Sequence, residues 1–206
     1  MRLWFAASVA FSWLGVAARA PAEEQAPRPY EAGLRLGYSS GSVLGVPGFT
    51  FIGLDAGVHL SPRWSVGPYA EVGFIDSLVQ KRAGPETFLG HHYRLGAQVF
   101  LHVLPKGLID PWLGAGMGYA ALGVDVHSSV AAGPTLVVSD YRETARGIEW
   151  LNLQGGVSLN LTPAFALGGF ARLAVVDYLS QHRQPGEPHE PTRAWLSGGA
   201  KATLRF

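Results

Sequence analysis

From residue 30 onward, apolar and polar positions alternate along most of the chain. Tyr30, Ala32, Leu34, Leu36 and Tyr38 fall on one face; Glu31, Gly33, Arg35, Gly37 and Ser39 fall on the other. A period of two is that of a β-strand, whose successive side chains point to opposite sides. The pattern recurs over residues 49–60, 64–75, 91–104, 111–121, 148–161, 165–176 and 193–206, which predicts eight strands. The connections at 61–63, 105–107 and 162–164 are short, and each carries a proline suited to a tight turn. Those at 40–48, 76–90, 122–147 and 177–192 are longer and are expected as loops. Short and long connections therefore alternate, which puts both termini of the barrel domain on the short-turn side. Pro68 removes one ladder donor within the third segment, so a bulge or a place near the rim is expected there.

The fold class this implies is all-β, an eight-stranded antiparallel up-and-down barrel. Its apolar face could form a soluble core or meet lipid, and three features favour lipid. Tyr30, Trp64, Phe165 and Phe206 lie at one end of the apolar face; Tyr38, Phe74, Tyr93 and Tyr119 lie at the other. Two aromatic rings are what the two interfaces of a bilayer select. The apolar face also carries almost no charge within the span, where one charge at mid-depth would cost about 2–4 kcal/mol. The polar face is rich in glycine (Gly33, Gly57, Gly96, Gly114, Gly116 and Gly118 among others). A narrow eight-stranded interior needs small residues, whereas a water-facing surface would carry charge.

The first residues add a compartment. Arg2 precedes an apolar run over residues 3–16, and small residues at Ala18, Ala20 and Ala22 offer cleavage sites. Residues 1–22 are expected to be an export signal cut after Ala22 or Ala20, with 23–29 a periplasmic lead-in and 30–206 the barrel domain. There is no cysteine, which excludes a disulfide scaffold, a thiol enzyme and a Cys-ligated metal centre. Loss of Arg2 and Arg19 with the signal takes the formal net charge from +1 to −1, so nothing points to nucleic acid.

The polar face places Arg35, Asp55, Glu71, Arg94, Arg172 and Lys201 inside the barrel, where charges persist only when paired and hydrogen-bonded. Trp112, Phe100, Phe170, Tyr69, Trp150 and Trp195 are expected to add bulk there. The reading is a packed, mutually neutralised lumen, since a wide channel needs about twice as many strands. Chemistry is sparse. His127 and Ser129 form a His-x-Ser in a long connection, and a Ser–His pair hydrolyses esters only when a carboxylate orients the His. Asp76-Ser77, His91-His92 and the stretch containing Asp177, His182, His189 and Glu190 have no fixed ligand or catalytic spacing. No catalytic residue, metal site or cofactor is expected.

The segments 61–69 (Ser-Pro-Arg-Trp-Ser-Val-Gly-Pro-Tyr) and 111–119 (Pro-Trp-Leu-Gly-Ala-Gly-Met-Gly-Tyr), with the terminal Leu204-Arg205-Phe206, resemble the eight-stranded OmpA/OmpX-like outer-membrane barrels. The resemblance spans residues 30–206. It implies a bacterial outer-membrane protein in contact with lipid and lipopolysaccharide, monomeric, with four extracellular loops. It also implies that Phe206 forms part of the insertion signal, read through the last strand by the barrel-assembly machinery. The function expected is non-enzymatic, in envelope structure or surface contact. A lipid A modifying enzyme (acyl hydrolase or transferase) and a narrow OmpW-like conduit for small apolar molecules are the alternatives.

Overall fold

In a computed structural model, residues 28–44, 46–81, 84–132, 135–182 and 192–206 are described. The expected export signal and most of the lead-in lie outside them. The strands are β1 (Tyr30–Val43), β2 (Val46–His59), β3 (Trp64–Lys81), β4 (Gly84–His102), β5 (Ile109–Ala132), β6 (Thr135–Asn160), β7 (Phe165–His182) and β8 (Thr192–Arg205). Each pairs antiparallel with its neighbours, and β8 returns to β1 to close the barrel. At the closing seam Leu34 lies opposite Ala202 and Ser40 opposite Leu196. Tyr30 and Phe206 exchange two backbone hydrogen bonds at its lower end, at 3.2 and 3.0 Å. Closure leaves no open edge within the barrel wall, so every strand there can satisfy its backbone even in hydrocarbon.

The short connections are shaped by local side chains. Ser61 Oγ accepts from the N–H groups of Arg63 and Trp64, and Thr162 Oγ1 from those of Ala164 and Phe165. In the remaining tight turn, Gly107 N–H donates to the Leu104 carbonyl and Asp110 accepts from Leu104 N–H.

Three sequence expectations change. First, three of the longer connections are mostly strand, and in the one at 40–48 β1 runs to Val43, opposite Val46 at the start of β2. The β3–β4 ladder runs on to Lys81 opposite Gly84, and the β5–β6 ladder to Ala132 opposite Thr135. Second, Trp150 points outward and is half exposed, while Glu149 is fully buried. An extra residue between Glu149 and Leu151 on the β7 side shifts the register and turns the phase of β6. A bulge of this kind places two successive residues on one side of a strand. Third, Pro68 makes no bulge. The β2–β3 pairing lapses beside it and resumes in the same register, with Asp55 opposite Tyr69 and Val58 opposite Val66. Gly67 lets the two backbones close at this point, since a Cβ there would stand 1.9 Å from the Ala56 carbonyl oxygen.

Polarity inverts along the long strands. On β5, the lower outward residues are Leu113, Met117 and Tyr119, each well exposed. Further up the same strand Asp125 and His127 point outward, while Leu122, Val124 and Val126 are buried inside. The upper barrel is thus filled like the core of a water-soluble protein, by Phe88, Ile75, Val46 and Val176 beside these residues.

Candidate functional site

The lumen is the best-defined polar feature among the described residues, and its lower and middle parts hold two ion clusters. All six charged residues placed inside by the sequence are buried there. The lower cluster centres on Asp55. Arg35 donates Nε–H to Asp55 Oδ2 at 2.7 Å, and Lys201 Nζ stands 3.0 Å from Oδ1. The remaining Arg35 donors reach Gln154 Oε1 at 2.9 Å and Gln98 Oε1 at 3.1 Å, while Gln154 Nε2 also donates to Gln98. Lys201 further lies over the Phe100 ring, 4.4 Å from its centroid. Gly33 makes the space, for a Cβ there would stand 2.7 Å from the Asp55 carboxylate.

The middle cluster joins Glu71 and Glu149 to two arginines. Arg172 grips Glu71 with two donors, at 2.5 and 3.0 Å, and also reaches Ser197 Oγ at 3.1 Å. Arg94 donates to Glu71 Oε1 at 3.2 Å and to Glu149 Oε2. Tyr69 donates its hydroxyl to Glu149 Oε1 at 2.7 Å. A forked guanidinium matched to carboxylates is the geometry that best repays the cost of desolvating charge.

Arg35, Lys201, Arg94 and Arg172 are balanced by Asp55, Glu71, Glu149 and, below them, Glu31. Glu149 was missed in the sequence because strict alternation from Leu151 places it on the lipid side. The signal was available: Trp150 and Leu151 are adjacent large apolar residues between Ile148 and Leu153, which marks a slip of phase. Alternation puts Gln98 and Gln154 on the inward face, but nothing in the sequence distinguishes a bridging glutamine from a space-filling one.

Above the ions, Phe49, His92 and Trp195 pack ring against ring, with centroids 4.5, 5.1 and 5.6 Å apart. Trp195 donates to the Tyr178 hydroxyl at 3.2 Å. Beyond them lie the buried apolar residues of the upper barrel.

The aromatic residues of both expected girdles point outward. Tyr30, Tyr38, Trp64, Phe74, Tyr93, Tyr119 and Phe206 are exposed, and Phe165 is half-buried. On the outer face of the upper barrel, His127 Nδ1 meets Asp140 Oδ1 at 2.8 Å, and Arg142 lies 3.8 Å from Asp125. Both pairs are solvent-exposed.

The family described as "Outer membrane protein beta-barrel domain" matches residues 7–186. Among solved structures, neisserial surface protein A shares 18% identity at a TM-score of 0.57, over 86% of this chain and 96% of that one. Ail, the attachment invasion locus protein of Yersinia pestis, shares 12% at 0.46, over 85% and 98%. OprG from Pseudomonas aeruginosa shares 12% at 0.44, over 87% and 97%. At 18% identity, the likeness to neisserial surface protein A is one of fold alone. No curated protein matches the sequence.

Proposed function

The chain belongs to the outer membrane protein beta-barrel domain family, whose place is the bacterial outer membrane, and from that premise we propose that it is a non-enzymatic barrel closed to solutes, acting in envelope structure or surface contact. The observation that carries this reading is the filled lumen. A conduit needs a continuous wet path, and here two charge-balanced clusters lie beneath a cap of aromatic and aliphatic side chains. The cap also argues against a passage for small apolar molecules, because it is packed rather than open. What the protein offers its surroundings is then its outer surface: the aromatic-bounded lipid face and the sheet raised above it by β3, β4, β5 and β6.

Reconstitution in planar bilayers tests the closure. No discrete conductance steps are expected at moderate voltage, and a reproducible single-channel step from pure protein would sink the reading. Within the same proposal, the eight girdle aromatics sit at the two lipid interfaces and Phe206 contributes to recognition by the assembly machinery. Phe206→Ala is expected to lower the amount inserted in cells while leaving detergent refolding of the purified chain unchanged. A single copy accounts for the closed barrel, so a monomer is proposed.

One observation favours a second, enzymatic reading. Asp140 orients His127 through Nδ1, as a general base requires. The pair is solvent-exposed on the outer face of the barrel, which weighs against acyl transfer. Replacing His127 and Ser129 by alanine and comparing lipid A by mass spectrometry decides: an altered lipid A profile would establish the enzyme, and an unchanged one would remove this site from consideration.

A further inference from the structure

We propose that the outer wall of the barrel binds one anionic phospholipid of the periplasmic leaflet, in an apolar groove between β1 and β3 flanked by Arg28 and Arg63. The inference rests on this wall facing lipid and not on whether the lumen conducts. Tyr30 and Phe206 form one side of the groove, with ring centroids 6.1 Å apart, and Val66 and Pro68 form the other. The hollow measures about 210 Å³ and is almost wholly apolar.

Its floor follows from the sequence of β2. The outward series there is Ile52, Leu54, Ala56, Val58 and Leu60, so one small side chain stands between larger ones. The β2–β3 pairing lapses at the same level, beside Pro68, which has no N–H to give. A hollow open to hydrocarbon is filled by an acyl chain, because leaving it empty forfeits dispersion contacts along its lining. The groove is continuous with the lipid face and lies at the lower aromatic girdle, where the chains of periplasmic-leaflet lipids begin.

The cations supply the head-group end. Arg28 lies at the foot of the Tyr30–Phe206 side, where it donates Nη1–H to the Arg205 carbonyl at 3.0 Å and is otherwise exposed. Arg63 lies in the turn beneath the Val66–Pro68 side, and its exposed guanidinium makes no hydrogen bond or ion pair among the described residues. Roughly 16 Å of strand separates Arg63 from Pro68, so a phosphate held at the rim leaves its acyl chain lying along the groove. No acid competes for these cations. Glu31, the acid nearest the groove, is turned into the lumen, 2.7 Å from Ser65 Oγ and 3.2 Å from His59. Among the described residues the exposed acids are Asp76, Asp125 and Asp140, all in the upper barrel. Phosphatidylglycerol, with a net negative head group, therefore fits this rim better than phosphatidylethanolamine, whose own ammonium would face the arginines.

The test takes the protein extracted from outer membranes, strips it of lipid by detergent exchange, and offers phosphatidylglycerol and phosphatidylethanolamine with identical acyl chains. Native mass spectrometry counts what each barrel retains. One phosphatidylglycerol per barrel is expected, held at least about tenfold better than phosphatidylethanolamine. Arg28→Gln and Arg63→Gln should each lower that preference by about fivefold, and the double variant should bring the two lipids to within about twofold. Ala56→Leu fills the floor from the lipid side and should reduce retention of both lipids. Lys106→Gln, on the same rim but in the β4–β5 turn away from the groove, should leave retention as in the parent. Heat-modified gel mobility confirms that each variant is still a barrel. No retained lipid, equal retention of the two lipids, indifference to Ala56→Leu, or a loss with Lys106→Gln as large as with Arg63→Gln overturns the proposal.

Discussion

The lower and upper halves of this barrel solve opposite problems with the same strands. In the lower half the outside is apolar and the inside carries ions, as around Leu54 and Asp55 on β2. In the upper half the outside carries Asp125, Asp140 and Arg142, and the inside is made of Leu122, Val124, Val126 and Phe88. Along β5 the alternation runs on from one half to the other; its meaning reverses with the solvent outside. Where lipid surrounds the wall, apolar side chains gain nothing by turning inward, and the polar ones are placed where they can satisfy one another. Where water surrounds it, the hydrophobic effect returns apolar groups to the interior. Each half is stabilised by a different force, so the two should respond differently to substitution.

The largest effect should come from unbalancing the ions. Glu71→Ala leaves Arg94 and Arg172 facing each other in a dry interior and is expected to cost about 3–5 kcal/mol, read as a lower urea midpoint of the detergent-refolded protein. A cost below 1 kcal/mol would mean that the lower half is hydrated rather than packed. In the upper half, Leu122→Ala should cost about 2–5 kcal/mol by opening a cavity in a solvent-shielded core. If the loss there were no larger than for the lipid-facing Leu113→Ala, the upper interior would not be a core. Leu54→Arg, on the outer face near mid-depth, should cost about 2–4 kcal/mol when folding is measured into lipid vesicles. A near-neutral result would move the lipid band away from that level. Smallest of all, Asp125→Asn should fall within about 0.5 kcal/mol, because its ion pair with Arg142 is exposed.

Much of this was legible in the residues. Strand number, antiparallel order, barrel closure and the inward set from Arg35 to Lys201 all follow from a period of two bounded by turn residues. The upper strands were also written in the same code. Leu122, Val124 and Val126 alternate with Gly123, Asp125 and His127, but the apolar phase has moved to the other face. Read for a fixed lipid side, that stretch looks like a loop. The β6 bulge hid Glu149 for a related reason: one extra residue reverses which side every later position occupies.

The sequence by itself determined the period, the punctuation and the sorting of aromatics, because these reflect local backbone geometry and the chemistry of a lipid boundary. Only the tertiary structure decided which carboxylate meets which guanidinium, and that Glu149 joins them. Those side chains come from strands far apart in the chain, and their meeting depends on barrel closure and register. One residue of slip would turn each of them out of the lumen, so no local pattern can encode their contact.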